Sequence, residues 1–249
     1  MSRLEGKIAI ITGGSTGQGA SHARRIVAEG GKVMIGDIQD EAGEALAEEI
    51  GDNAIYQHLD VTSEESWQDA LTATKETFGL PTVLVNNAGI TCHQPIVGQD
   101  LDKFQAVLGV SLTGTMLGIK VIAPAMKEAG GGSIINLSSV SGLQGFTTTG
   151  AYCAAKWGVR GLSRVAALEL GRDKIRVNVI CPGPIDTPML AKVDVHDEEM
   201  WKGRPIQRVG RPDEISNMVV FLASEESSFS TGADFIADGG VSAGDILFF

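Results

Sequence analysis

Residues 7–19, KIAIITGGSTGQG, decide the fold. Residues 7–12 form a short apolar run without polar alternation, which reads as a strand buried on both faces. Gly13, Gly17 and Gly19 then mark a turn, and Ala20, Ala23, Ile26 and Val27 set a helical period that runs to Gly30. Outward from this stretch the same order recurs. Further strands are read at 32–36, 54–59, 82–85, 133–137, 176–181 and 235–237. Helices are read at 41–50, 63–78, 100–127, 150–171 and 212–224, with Pro124 expected to kink or stop the long central one. Near-continuous apolar strands alternating with helices predict an α/β chain, a doubly wound parallel sheet of about seven strands. No repeat, low-complexity tract or linker divides the chain, so residues 1–249 read as a single domain.

Composition narrows the function classes. The chain has 249 residues, 43% of them hydrophobic, and a net charge of -11. Such a length buries a large core. The acidic balance argues against nucleic acid and anionic membrane as partners, because phosphate contacts draw on Lys and Arg. Cys92, Cys153 and Cys181 are widely spaced, with no C-x-x-C pair and no Cys/His cluster, which reads as three reduced thiols in a cytoplasmic protein without a metal site. Residues 1–7 lack an apolar signal region, and no uninterrupted apolar run is read as long enough to span a bilayer.

The glycine turn carries the first functional reading. Between a strand and a helix, Gly13 permits the tight turn, Gly17 lets backbone approach a pyrophosphate, and Gly19 allows close helix packing. Ser15, Thr16 and Gln18 lie in the same turn, and the helix start offers unpaired amides to phosphate oxygens. A ligand-free glycine turn is the plainer alternative. Asp37 ends the second strand 18 residues beyond Gly19, close to the spacing of an acid that bonds a ribose 2′-hydroxyl. Its charge repels a 2′-phosphate, and no Arg or Lys stands beside it, so the cofactor expected is NAD(H) and not NADP(H). Asp60, Val61, Asn87, Ala88 and Gly89 fall at the same edge of this sheet, which is expected to be of the Rossmann type. Asp60 bonds the adenine edge, caps the following helix, or does both.

The second reading comes from residues 136–156, NLSSVSGLQGFTTTGAYCAAK. Tyr152 and Lys156 share one face of a helix, one turn apart, and Ser139 follows the strand at 133–137. A phenol has an ordinary pKa of about 10. A neighbouring ammonium favours the phenolate, so Tyr152 is expected to be tuned downward and to exchange a proton with a carbonyl or carbinol oxygen that Ser139 holds. An ordinary amphipathic Tyr/Lys pair is the bland alternative.

Taken together, Thr12-Gly13-x-x-x-Gly17-x-Gly19, Asp60-Val61-Thr62, Asn86-Asn87-Ala88-Gly89, Ser139, Tyr152-x-x-x-Lys156 and Pro182-Gly183 make the chain similar to the short-chain dehydrogenase/reductases over nearly its whole length. Stretches such as YQHLDVT and KWGVRGLS resemble bacterial hydroxysteroid dehydrogenases of the 3α,20β type. The resemblance implies Tyr152 as general acid/base, Lys156 on the nicotinamide ribose, Ser139 on the substrate oxygen, and Asn87 at the adenosine or ribose. It also implies Pro182, Gly183, Ile185 and Thr187 around the nicotinamide amide. Three positions depart from the family. Ser111 stands where an Asn usually supports a water linked to the active-site Lys, and a retained relay of altered rate is expected. Gln18 replaces an Ile and bonds the substrate, bonds the ring amide or faces solvent. Thr82 replaces an Asp, for a structural reason.

The substrate end is read from loops at the same sheet edge. His93, Gln144, Phe146, Met189 and Trp201 are the candidate contacts, mostly apolar or soft, as for a bulky apolar molecule. Residues 186–207 lack a period and read as a lid or as a plain surface excursion. His93 and His196 read as ordinary loop histidines. Small residues on the Tyr152 helix suit a subunit contact, the family implies a homotetramer, and the apolar Leu247, Phe248 and Phe249 are expected to pack on a neighbour. The function expected is hydride transfer between NAD(H) and a bulky apolar secondary alcohol or ketone, such as a hydroxysteroid or cyclic terpenol. A ketoreductase acting on acyl-carrier-protein thioesters and a catalytically silent NAD-binding sensor are the alternatives.

Overall fold

The structure is a computed structural model that describes residues 2–191, 194 and 197–244. Seven strands, β1 (Ile8–Thr12), β2 (Lys32–Asp37), β3 (Ala54–His58), β4 (Val83–Asn86), β5 (Gly132–Leu137), β6 (Ile175–Pro182) and β7 (Asp234–Ala237), form one sheet in the order β3-β2-β1-β4-β5-β6-β7. Every neighbouring pair is parallel. The chain winds outward from β1 in one direction and from β4 in the other, so a crevice opens between their C-terminal ends.

Alternate residues of each strand serve the two faces. Ala9 and Ile11 pack with Val33 and Ile35 under α1 (Gly17–Ala28), α2 (Asp40–Ile50) and α7 (Pro212–Ala223), through Ala23, Ile26, Leu46, Val219 and Val220. Ile10 packs with Met34, Leu84 and Ile134 on the opposite face, under α3 (Glu64–Thr77), α5 (Gly114–Glu128) and α6 (Gly150–Leu170), through Trp67, Val121, Ile122, Met126 and Ala166. Burial on both faces is why the strands carry no polar alternation. Thr82 has a visible structural use: its hydroxyl accepts from the Ile8 amide at 3.0 Å, joining the starts of β1 and β4.

The long central helix differs from expectation. It is α4 (Leu101–Leu108), a π turn at Gly109–Thr113, and then α5. Pro124 neither stops nor ends it, because α5 continues to Glu128. Proline removes one ladder bond, and the burial of Ile122 and Met126 holds the turns on either side. The tract Leu101–Glu128, though interrupted by polar residues, is long and apolar enough to cross a bilayer by length and composition, and half of its most apolar window is buried in the fold. His196, Leu247, Phe248 and Phe249 lie outside the described residues.

His22 sets an acid limit on this fold. Its ring lies fully buried between α1 and α7, with Nδ1 2.8 Å from the Ser216 hydroxyl, and Nε2 has no partner. Burial lowers its pKa to about 3. The folded chain thus prefers neutral His22, so this contribution is complete above the unfolded value of about 6.5 and is lost as pH falls from there toward 3. Between pH 6.5 and 5 the loss is about 2 kcal/mol. Urea unfolding at the two pH values should therefore show a steeper fall in stability for the wild type than for His22→Asn. Equal slopes would refute the assignment.

Candidate active site

The crevice over β1 and β4 is a cavity of about 580 Å³, within the range of small-molecule sites. Its floor is the glycine turn. Gly13 and Gly17 have φ of +58° and +54°, which side chains rarely adopt. A Cβ on Gly19 would lie 2.0 Å from the Gly13 carbonyl oxygen, so only glycine lets α1 start this close to the turn. Thr16, at the helix N-cap, makes no side-chain capping bond, and the first turn of α1 holds no acid. The leading amides of α1 are thus left to an anion at the helix start, and the turn fits the pyrophosphate of a dinucleotide.

Asp37 is buried at the end of β2, and its carboxylate is fixed on both sides. Ser15 donates to Oδ2 through its amide at 3.0 Å and its hydroxyl at 2.5 Å. The amides of Ile38 and Gln39 donate to Oδ1. Ser15 therefore acts on the cavity through Asp37 and is itself not part of the lining. Asp60, Val61 and Leu59 line the same end, with Asp60 Oδ1 accepting from the Thr62 amide and hydroxyl. Asn87, Ala88 and Gly89 continue the wall. The Asn87 side-chain nitrogen is committed to the turn, donating to the carbonyls of Thr12 and Gly13 at 3.0 Å each.

At the other end α6 begins, and its first turns carry Tyr152 and Lys156 into the lining. Lys156 is buried, with Nζ donating to the Leu137 carbonyl at 2.7 Å and lying 5.4 Å from the centroid of the Tyr152 ring. Ser139 follows β5, where its hydroxyl accepts from the Ser141 amide at 3.1 Å and acts on the Tyr152 phenol to lower its pKa. Burial pushes the phenol up to about 12, against this pull from Ser139. Burial also brings the Lys156 ammonium down to about 8. The expected lowering of the Tyr152 pKa by Lys156 is thus not met in this structure. The ammonium stands over the ring and bonds Leu137, and desolvation of the phenolate is the largest effect on the phenol.

The π turn brings Ser111 into this cluster. Ser111 is fully buried, and a Cβ on Gly89 would lie 3.4 Å from both Ser111 Oγ and Lys156 Nζ. The Ile90 amide donates to Ser111 Oγ at 3.4 Å, a long bond. Val110, in the same turn, lines the cavity. Ile90, Thr91 and Ser138 are further wall residues that the sequence reading missed, although Ser138 adjoins Ser139. The Ser138 hydroxyl bonds the Lys156 carbonyl at 2.9 Å.

The remaining expected residues divide. Gln18, Pro182, Thr187 and Met189 line the cavity. Gly183, Ile185 and Trp201 line a separate cavity of about 200 Å³ beside β7 and α7. Trp201 is buried there, and Gly183 packs so tightly that a Cβ would meet the Asp238 backbone at 2.7 Å. His93 is exposed, and it, Gln144 and Phe146 are absent from the main cavity wall.

Comparison with known proteins agrees with this geometry. The family model described as Enoyl-(Acyl carrier protein) reductase matches residues 13–242. The chain is 50% identical over 242 residues to a 3-alpha-(or 20-beta)-hydroxysteroid dehydrogenase of Mycobacterium tuberculosis, covering 97% of this chain and 92% of that protein. It is 45% identical to a trans-4-hydroxycyclohexanecarboxylate dehydrogenase of Sinomonas cyclohexanicum, covering 98% and 96%. The crystal structure of a short-chain type dehydrogenase/reductase from Mycobacterium marinum superposes with a TM-score of 0.91 at 33% identity, covering 97% of both chains.

Proposed function

This chain belongs to the short-chain dehydrogenase/reductase family, and from that premise we propose that it interconverts a bulky apolar secondary alcohol and its ketone with NAD(H). One observation carries the reading: a single cleft holds the glycine turn and Asp37 toward one end and Tyr152 and Lys156 toward the other. The nicotinamide of a bound dinucleotide supplies or accepts the hydride. Tyr152 gives its phenolic proton to the carbonyl oxygen, or takes the hydroxyl proton in the oxidative direction. Ser139 holds that same oxygen. Lys156, anchored on Leu137 through one of its three donors, offers the others to the nicotinamide ribose, and its charge favours the phenolate as the proton leaves. Ser111, whose Oγ lies with Lys156 Nζ beside Gly89, supports the relay.

The substrate class is supported by apolar wall residues, among them Ile90, Val110, Leu137, Pro188 and Met189. Two similar proteins are named for action on a steroid and on a cyclohexane ring. Residues 186–207 serve as a lid in this reading. The same reading includes a cytoplasmic homotetramer, and the exposed Trp157, Val165 and Leu168 of α6 suit a subunit contact. A panel of hydroxysteroids, cyclic terpenols and small alkanols with NAD+, followed at the absorbance band of the reduced cofactor, tests the proposal. Turnover is expected for a ring-bearing secondary alcohol and should far exceed that of small alkanols. Failure of every alcohol, and of the matching ketones with NADH, would overturn it.

A further inference from the structure

Gln18 brings a polar amide to the wall of this cavity. It is the second residue of α1, next to Gly17, whose Cβ position lies 3.4 Å from Thr187 and 3.5 Å from Pro188. Thr187, Pro188 and Met189 follow β6, on the β5 side of the crevice, whereas Asp37 ends β2 on the opposite side. The first turn of α1, which holds Gln18, therefore lies against the Thr187–Met189 stretch. Its Oε1 is buried without a hydrogen-bond partner. A buried carbonyl oxygen left unpaired is unfavourable, whereas one offered a donor is not. Turning the amide into the cavity therefore breaks no hydrogen bond at Oε1, and any ligand that presents an N–H there satisfies it.

We propose that Gln18 reads the carboxamide of the bound nicotinamide, its Oε1 accepting from the carboxamide N–H. This deepens the assignment of the cleft as a nicotinamide dinucleotide site and rests on it. The carboxamide carries two donor hydrogens at the ring end of the cofactor, the end that the Thr187–Met189 stretch would cover. Gln18 then helps fix which ring face meets the substrate, since a carboxamide held from one side cannot exchange places with the opposite ring edge.

The test uses binding to the intact protein, not turnover. Three probes are titrated calorimetrically: NAD+, its 3-acetylpyridine analogue, which lacks the N–H donors, and ADP-ribose, which lacks the ring. Wild type and Gln18→Met, close in volume but without the acceptor, are compared. The expected result is a NAD+ affinity about tenfold lower in Gln18→Met, the size of one buried hydrogen bond. Affinity for the acetylpyridine analogue and for ADP-ribose should stay within about twofold. Equal weakening of all three probes, or no weakening of any, would overturn the proposal, as would a change confined to the KM of the alcohol. Failure of wild type to bind ADP-ribose and NAD+ would instead overturn the dinucleotide assignment itself.

Discussion

Replacing Tyr152 with phenylalanine should lower kcat by about a thousandfold or more in both directions, within or above the usual range for loss of a general acid/base. The change removes one hydroxyl and keeps the ring, so the face beneath Lys156 Nζ is retained. NADH affinity should move by less than about twofold, because the anion contacts lie at the glycine turn and α1, away from the phenol. Steady-state rates with a cyclic secondary alcohol and with its ketone, beside a NADH binding titration, check both halves. A variant with kcat within about tenfold of wild type would show that another group moves the proton. The pH profile supplies an independent sign. With the phenol held near 12, its ionised fraction rises about tenfold per pH unit below that value, so alcohol oxidation should climb with pH, while ketone reduction, which needs the protonated phenol, should stay nearly flat on the phenol's account.

Much of this site was legible because its parts are local in sequence. The glycine turn needs three glycines within seven residues, and Tyr152 and Lys156 need only helical spacing. The sheet was equally plain, since strands buried on both faces must be apolar throughout. What escaped the reading depends on contacts between distant residues. The Ser15–Asp37 pair forms because β1 and β2 are neighbours, with Thr12 in register with Gly36. The π turn at Gly109–Thr113 is hidden in the sequence because α-helix precedes and follows it without a break. A loop position at the sheet edge suggests Trp201 for the substrate or for covering the core, and it is buried in the lining of the separate cavity beside β7 and α7. The order of pKa effects at Tyr152 was also out of reach, since spacing gives proximity but not burial.

Cofactor choice should follow the charge on Asp37. A 2′-phosphate carries nearly two negative charges, and a like charge about 4 Å away in a partly buried site is unfavourable by about 4 kcal/mol before screening. Solvent at the open mouth reduces this, so kcat/KM with NAD+ should exceed that with NADP+ by about 100- to 1000-fold. The carboxylate cannot swing aside to admit the phosphate, because Ser15, Ile38 and Gln39 hold both of its oxygens. Asp37→Asn keeps the shape and removes the charge, and the ratio should fall by at least tenfold, mainly through better use of NADP+. Its amide nitrogen would face either the Ser15 amide or the amides of Ile38 and Gln39, all donors, so NAD+ efficiency should also drop by several-fold. Measuring kcat/KM with both cofactors for both proteins decides the matter. A wild-type preference for NADP+ would mean that the charge of Asp37 does not select the cofactor and that the ribose is read elsewhere.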